Sequence, residues 1–250
     1  MVGETIRRTA AATFKFPRRI FPTVLTLVLA DSELELVPAS LAGHPAIRTS
    51  ARKRGRSPTS ILLDSSLHHP ALKGVPEGER RGRPDLVHGF VLLCLDSIVN
   101  QEGRLTTIVH TRHDDVLRFA PQTRIPRNYT RFVGLIEELF AKDRVPDDDP
   151  LITLERGFDL KAVLASCEGR SWAFAEDRDP TDLRIAIPRL KGELTAVIGG
   201  FPHGTFRSPV AELCDRVVSL HATPLKAWTV AAEVLVAYRL FSKPPTPTKG

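Results

Sequence analysis

The chain is poor in the residues that staple small folds or hold metals. It has three cysteines in 250 residues, beside two tryptophans, two tyrosines and one methionine. Cys94, Cys167 and Cys214 are odd in number, far apart and set in apolar surroundings. They do not form a disulfide framework and read as reduced core thiols of an intracellular protein. The histidines show no ligand spacing either: His68 and His69 are adjacent, and His88, His110, His113, His203 and His221 are scattered, so no metal site is expected. No apolar run is long enough to cross a bilayer; the longest lies near Phe21–Ala30. No internal repeat is visible. One stretch also lacks acids, since none occurs between Val116 and Ile136.

That acid-free stretch contains PQTRIPRNYTRFVGLIEELF, Pro121–Phe140. Phe132, Leu135, Ile136, Leu139 and Phe140 follow the spacing of one buried helical face. Arg124, Arg127 and Arg131 fall three and four residues apart and lead into that helix. Their guanidinium forks suit phosphate oxygens, and without neighbouring acids they form a footprint for a polyanion rather than a salt-bridged face. A formal charge of +6 and a pI near 9.5 agree with a nucleic-acid partner, although many proteins are mildly basic. A hydrophobic content of 42% over 250 residues suits one large domain, or a domain with an appendage.

Strand and helix patterns alternate along the chain. Val24–Leu29 and Ile61–Asp64 read as buried strands. Between them, IRTSARKRGRSPTS is basic and rich in Ser, Pro and Gly; it reads as a mobile loop, about 48–58, that orders on RNA. The apolar run Leu86–Ser97 suits helix or strand. Strand is favoured, because Asn100–Gly103 reads as a turn and Leu105–Thr111 as a further β segment. Val116–Ala120 is a third strand ahead of a helix at Tyr129–Phe140. RVPDDDP, 144–150, reads as a linker, and its acids, Asp147–Asp149, as a solvated run rather than a metal site. A helix near Leu160–Ser166, strands at Leu194–Ile198 and Arg216–Leu220, and a helix at Leu225–Phe241 complete the pattern. Residues 1–20 are expected to be a flexible extension. Ile6–Ile20 is Arg-rich and acid-free like a transit peptide, though a disordered or expression-derived extension fits better. The Pro-rich tail, 242–250, is expected to be disordered.

Two loops stand out near the C-terminus. IGGFPHG places Gly199, Gly200 and Gly204 after an apolar strand, where glycine allows a tight turn and close approach to a ligand. The spacing matches neither the GxGxxG nor the P-loop pattern, and a plain connection would look the same. SLHATPLKAW, Ser219–Trp228, follows the next strand and raises the signal, because two loops at one sheet edge form the crevice where α/β sheets bind ligands.

RGRPDLVH, LDSIVNQEGRLTTIVHT, PQTRIPRNYTRFVGLIEELF, IGGFPHG and SLHATPLKAW occur here in this order. Together they resemble the pseudouridine N1-methyltransferase family of ribosome biogenesis, of the SPOUT class, in the form without long insertions seen in archaeal members. The resemblance covers about Phe21–Leu240. It implies a single α/β SPOUT-type methyltransferase domain, 21–241, with a C-terminal trefoil knot and a family-specific β-rich extension. It further implies a homodimer, S-adenosylmethionine as methyl donor, and a pseudouridine in a small-subunit rRNA hairpin as target, with ribosomal proteins or assembly factors as further partners. The expected location is cytoplasmic, or nucleolar in a eukaryote. Carried over by motif, the RNA-binding residues are Arg83, Arg124, Arg127 and Arg131. The cofactor-binding residues are Ile198, Gly199, Gly200, Phe201 and Gly204 in the first loop, and Val218, Ser219, Leu220, Leu225, Lys226 and Ala227 in the second. Lys226 stands where the family often has a small polar residue, so the side-chain contact there is open.

Methylation at N1 of pseudouridine requires its imino proton to leave while the nitrogen meets the methyl group in line. Asp85, next but one to Arg83, is the candidate catalytic carboxylate; bracing Arg83 is the competing role. Asp96 is expected to cap the turn before Asn100, and His203 to pack its loop. A flipped target base would enter the pocket. The reading from another class is an RNA-binding assembly factor whose role is mainly structural; it would keep the arginine surface without needing the paired glycine loops.

Overall fold

The computed structural model describes residues 25–176, 178–190 and 192–242. The expected N-terminal extension, and the tail from 243 onward, lie outside the described residues. In chain order the elements are β1 (Leu25–Ser32), α1 (Pro45–Lys53), α2 (Ser65–Leu72), α3 (Pro84–Asp96), α4 (Ile98–Gln101), β2 (Leu105–Thr111), β3 (Asp115–Phe119), α5 (Tyr129–Lys142), β4 (Arg144–Val145), β5 (Ile152–Arg156), α6 (Leu160–Ala165), β6 (Arg170–Phe174), α7 (Leu183–Ala186), β7 (Leu194–Gly199), α8 (Val210–Leu213), β8 (Arg216–Val218) and α9 (Ala227–Phe241). All the strands join one sheet in the order β4-β5-β3-β2-β1-β7-β6-β8.

The apolar run LTLVLADS makes β1 a central strand. Every one of its residues is buried, as expected where helices cover both faces of a parallel sheet. β2 and β7 flank it in parallel, and β6 and β8 continue the parallel half. β3, β5 and β4 form an antiparallel wing beyond β2, in keeping with the expected β-rich extension. Alternate side chains of β1 serve two cores. Leu25, Leu27 and Leu29 pack with Phe90 of α3, Phe132 and Ile136 of α5, and Ala231 and Val234 of α9. Val28 and Ala30 pack on the opposite face with Leu160 and Val163 of α6 and Val210 of α8.

The strand expected at Leu86–Ser97 is helix α3 instead. Pro84 stands at its start and Asp85 in its first turn, the signals of a helix N-terminus. Its apolar run looks unsided because α3 is covered on more than one side; at Gly89, a side-chain carbon would lie 3.4 Å from the ring of Trp228 on α9. The expected mobile basic loop is also helical over most of its length. Pro45 opens α1, the His44 Nδ1 accepts the Ala46 amide at 3.2 Å, and Ile47 and Ala51 bury into a small core with Ile61, Leu63, Ala71 and Leu72. Ile61–Asp64 is not a sheet strand; Leu62 forms one isolated bridge with Leu36. Asn100–Gly103 holds the end of α4 followed by a turn at Gly103. The Asn100 amide is capped by Ser97 Oγ at 3.1 Å, whereas the expected cap, Asp96, offers only its carbonyl, to Gln101. The expected linker at 144–150 starts with β4, paired to β5 in a hairpin, so the sheet continues across it.

Where β1 ends, an ion-pair network replaces the apolar core. The buried Glu33 carboxylate accepts from Arg80 Nε at 2.6 Å and Arg112 Nη1 at 2.5 Å. Glu35 takes both arms of Arg81 at 2.8 and 2.6 Å and lies 3.0 Å from His113 Nε2. Burial alone would raise the Glu35 pKa, but its bonds to Arg81 and His113 outweigh that and bring it from 4.5 down to about 2.

Gly200 lies at this junction. Its amide donates to Ala30 O at 2.7 Å, its carbonyl accepts from the Glu33 amide at 3.1 Å, and a side-chain carbon there would sit 2.3 Å from Ser32 Oγ and 2.7 Å from Ser32 Cα. Gly200→Val should therefore destabilise the whole fold by about 1–3 kcal/mol through overpacking, seen as a lower midpoint in thermal melting without ligand. An unchanged midpoint would show that β1 can yield at Ser32.

Candidate active site

The parallel strands β7, β6 and β8 end on the same side of the sheet, and the segments leaving them enclose a cleft. Counting the part open to solvent, it measures about 1020 Å³. Of the residues expected at a cofactor, Ile198, Gly199, Phe201, Gly204, Ser219, Leu220, Leu225, Lys226 and Ala227 line it. Gly200 and Val218 do not. Gly200 is packed against Ser32, and Val218 is buried in the core, its carbonyl accepting the Ala175 amide at 2.9 Å. Both support the walls from behind.

The two loops expected to adjoin at the sheet edge are separated by a strand, because β6 lies between β7 and β8. The end of β6 therefore contributes Phe174, Ala175 and Glu176 to the cleft, a segment without a strand assignment from sequence. RSWAF offers little alternation and follows a short helix closely, so the signal was a brief apolar run alone. His203 also lines the cleft; its Nε2 lies 3.3 Å from the Glu79 carbonyl. The second loop is shaped by His221, whose Nδ1 accepts the Thr223 amide at 3.1 Å, and by Ser219 Oγ, which donates to the His221 carbonyl at 2.9 Å.

Arg80 fixes the first loop. Its guanidinium lies 4.1 Å from the Phe201 ring centroid, and its Nη1 donates to the Thr205 carbonyl at 2.7 Å. Asp31 holds the following turn, its Oδ2 accepting the amides of Arg207 and Ser208 at 2.7 and 2.9 Å. Neither role has a motif that a sequence could reveal, since the partners lie more than a hundred residues apart.

α3 carries the site toward a second surface. Leu86, in its first turn, lines the cleft. One residue earlier, Asp85 accepts both arms of Arg83 at 2.8 and 2.7 Å, and this pairing raises the Arg83 pKa. The Arg83 amide donates to the Glu33 carbonyl at 2.8 Å. Asp85 is about half exposed, so its carboxylate is open to a ligand on one side. Tyr129 donates to Asp64 Oδ2 at 2.6 Å, and burial followed by that bond pushes its phenol far above the usual range. His88 then ties α3 to the arginine segment, with its Nε2 2.8 Å from the Pro126 carbonyl and its ring 4.4 Å from that of Phe132.

Arg124, Arg127 and Arg131 are exposed, and among the described residues none has a salt bridge. Asn128 caps α5, accepting the Arg131 amide at 3.1 Å. Arg124 and Arg127 line a groove together with Asp96 and Gln101 at the far end of α3. The Arg83–Asp85 pair and the cleft thus meet at the start of α3, the segment carrying Arg127 touches its second turn through His88 and Pro126, and the groove lined by Arg124 and Arg127 reaches its end.

The model of the EMG1/NEP1 methyltransferase family matches residues 27–239. The chain is 43% identical over 225 residues to the ribosomal RNA small subunit methyltransferase Nep1 of Methanothrix thermoacetophila, covering 86% of this chain and 95% of that one. It is 45% identical to the protein of the same name from Pyrococcus furiosus, with 86% and 96% covered. The crystal structure of Archaeoglobus fulgidus Nep1 bound to S-adenosylhomocysteine superposes with a TM-score of 0.76 at 34% identity, covering 88% of this chain and 99% of that one. With residues 27–239 matched by the family model and more than 40% of positions identical to these relatives, the chain belongs to the EMG1/NEP1 methyltransferase family.

Proposed function

We propose that this protein methylates N1 of a pseudouridine in small-subunit rRNA, with S-adenosylmethionine held in the cleft beyond β7, β6 and β8. The observation that carries the reading is Leu86 in the cleft wall next to Asp85, because it sets a carboxylate held by Arg83 at the rim of the cleft. The cleft fits the cofactor in kind. Ile198, Leu220, Leu225 and Val230 offer apolar walls, the glycine loop offers backbone groups, and Glu176 offers a carboxylate for hydroxyls. When bound, S-adenosylmethionine supplies an electrophilic methyl group. A C-terminal knot, as the SPOUT class implies, agrees with β7 inserting between β1 and β6, the strand that precedes it in sequence.

The side chains then divide the work. Arg124, Arg127 and Arg131 bind phosphates and set the register of the hairpin, while Arg83 holds Asp85 by both oxygens. Each of those oxygens keeps a further lone pair for the imino N1–H of the base. Asp85 accepts or orients that proton, and positioning of the base against the cleft provides much of the remaining acceleration.

A two-fold dimer places arginines of two subunits around one RNA. The stripe Trp228, Val236 and Leu240 supports it: these residues are 38%, 50% and 56% exposed along one side of α9, whereas Ala231, Val234, Leu235, Ala237 and Tyr238 are buried in their own domain. Light scattering at micromolar concentration should give the dimer mass, and a monomer mass would remove this part of the proposal.

Asp85→Asn should retain cofactor and RNA affinity while lowering turnover at saturating RNA by roughly 10²–10⁴-fold, with the deficit shrinking at high pH as N1–H ionises unaided. Near-normal turnover with weakened RNA binding would assign Asp85 to bracing Arg83 instead. Arg127→Ala and Arg131→Ala should each weaken hairpin binding by about 1–3 kcal/mol and flatten its salt dependence. Normal binding at every salt concentration would move the RNA face elsewhere.

A further inference from the structure

Residues Leu36 to Leu63 carry Arg48, Arg52, Lys53, Arg54 and Arg56 and no acid. In the structure this segment packs against α5. The carboxylate of Glu137, fully buried on α5, accepts from Arg54 Nη1 and Nη2 at 2.5 and 2.6 Å and from the Leu62 amide at 2.8 Å, with Arg56 Nε at 3.7 Å. The small core beneath α1 fixes the other side of the helix. What remains outward is Arg48, Thr49, Arg52 and Lys53, followed by Arg56 and Ser57. Among the described residues, Arg48, Arg52 and Lys53 have no salt bridge, and no large apolar side chain of α1 is exposed. Protein interfaces draw on buried aromatic and aliphatic anchors, which this face lacks. A phosphate backbone needs only positioned cations and hydroxyls.

We propose that the outward face of α1, with Arg48, Arg52 and Lys53, is a second RNA contact outside the cleft. It grips backbone phosphates of rRNA flanking the target hairpin. The inference rests on the rRNA reading above and extends it: α5 carries Arg131 near its start and Glu137 further along, so Arg54 on the buried Glu137 carboxylate attaches a second basic helix to the one that carries Arg131. The patch reads no base; it adds affinity and register.

The test compares two RNAs, a minimal pseudouridine hairpin and the same hairpin extended by its flanking rRNA helices. The protein is the full chain, wild type or carrying Arg48→Ala, Arg52→Ala and Lys53→Ala together; the sites are exposed, and circular dichroism checks that the helix persists. For the extended RNA, the triple variant should bind about ten- to a hundredfold more weakly at moderate salt. Its slope of log affinity against log salt should be shallower by about two to three, since each lost phosphate contact removes roughly 0.7–0.9. Binding and turnover on the minimal hairpin should be unchanged. A variant with Arg48→Lys and Arg52→Lys should keep the slope. Equal slopes for wild type and triple variant on the extended RNA would overturn the inference, as would equal losses on both RNAs, or a loss confined to binding of an acidic ribosomal protein. Failure of the wild type to bind either RNA would instead count against the rRNA reading itself.

Discussion

Glu33 holds both halves of the site together. Its amide donates to Gly200 in the glycine loop and its carbonyl accepts from Arg83 ahead of α3. Its carboxylate, buried at the end of β1, binds Arg80 and Arg112. Arg80 in turn lies against Phe201 and donates to Thr205. One acidic residue thereby sets the distance between the cleft wall and the Arg83–Asp85 pair. Removing one partner of a buried ion pair typically costs about 3–5 kcal/mol, so this junction resists the small displacements that methyl transfer could not tolerate.

The parallel half of the sheet serves the same end. β1, β7 and β6 are held in continuous register, so the segments leaving them cannot shift independently. α3 and α5, which border Arg83 and Arg131, share a core with β1 and so are tied to this frame.

Much of this was legible in the sequence where one physical signal dominated. The readings of a strand at Val24–Leu29 and helices at Tyr129–Phe140 and Leu225–Phe241 came from apolar spacing, and their described parts fall in β1, α5 and α9. α3 was not legible, because a helix covered on several sides loses its 3.6-residue periodicity and resembles a buried strand; Pro84 and Asp85 marked its start, but the apolar run outweighed them. α1 was hidden for the opposite reason. Only Ile47 and Ala51 are buried on it, and its position depends on Glu137, far away in sequence. In the site, the glycine loop was legible as part of the cleft wall, and the arginines stand exposed where their motif put them. The assignment of Gly200 to the ligand side was not safe, since a strand-end glycine serves close packing of backbone as readily as close approach of a ligand. Glu176 and Arg80 needed the sheet order and the tertiary contacts before they could be placed.

The account's central claim is that one cleft and one arginine face cooperate on a single nucleotide. Methyl transfer from S-adenosylmethionine to a pseudouridine-containing small-subunit rRNA hairpin, measured against the same hairpin with uridine at that position, tests it most directly. The account predicts methylation of the pseudouridine hairpin and none of its uridine twin, whose glycosidic bond occupies the N1 position. Equal methylation of both, or of neither while the cofactor binds, would contradict it.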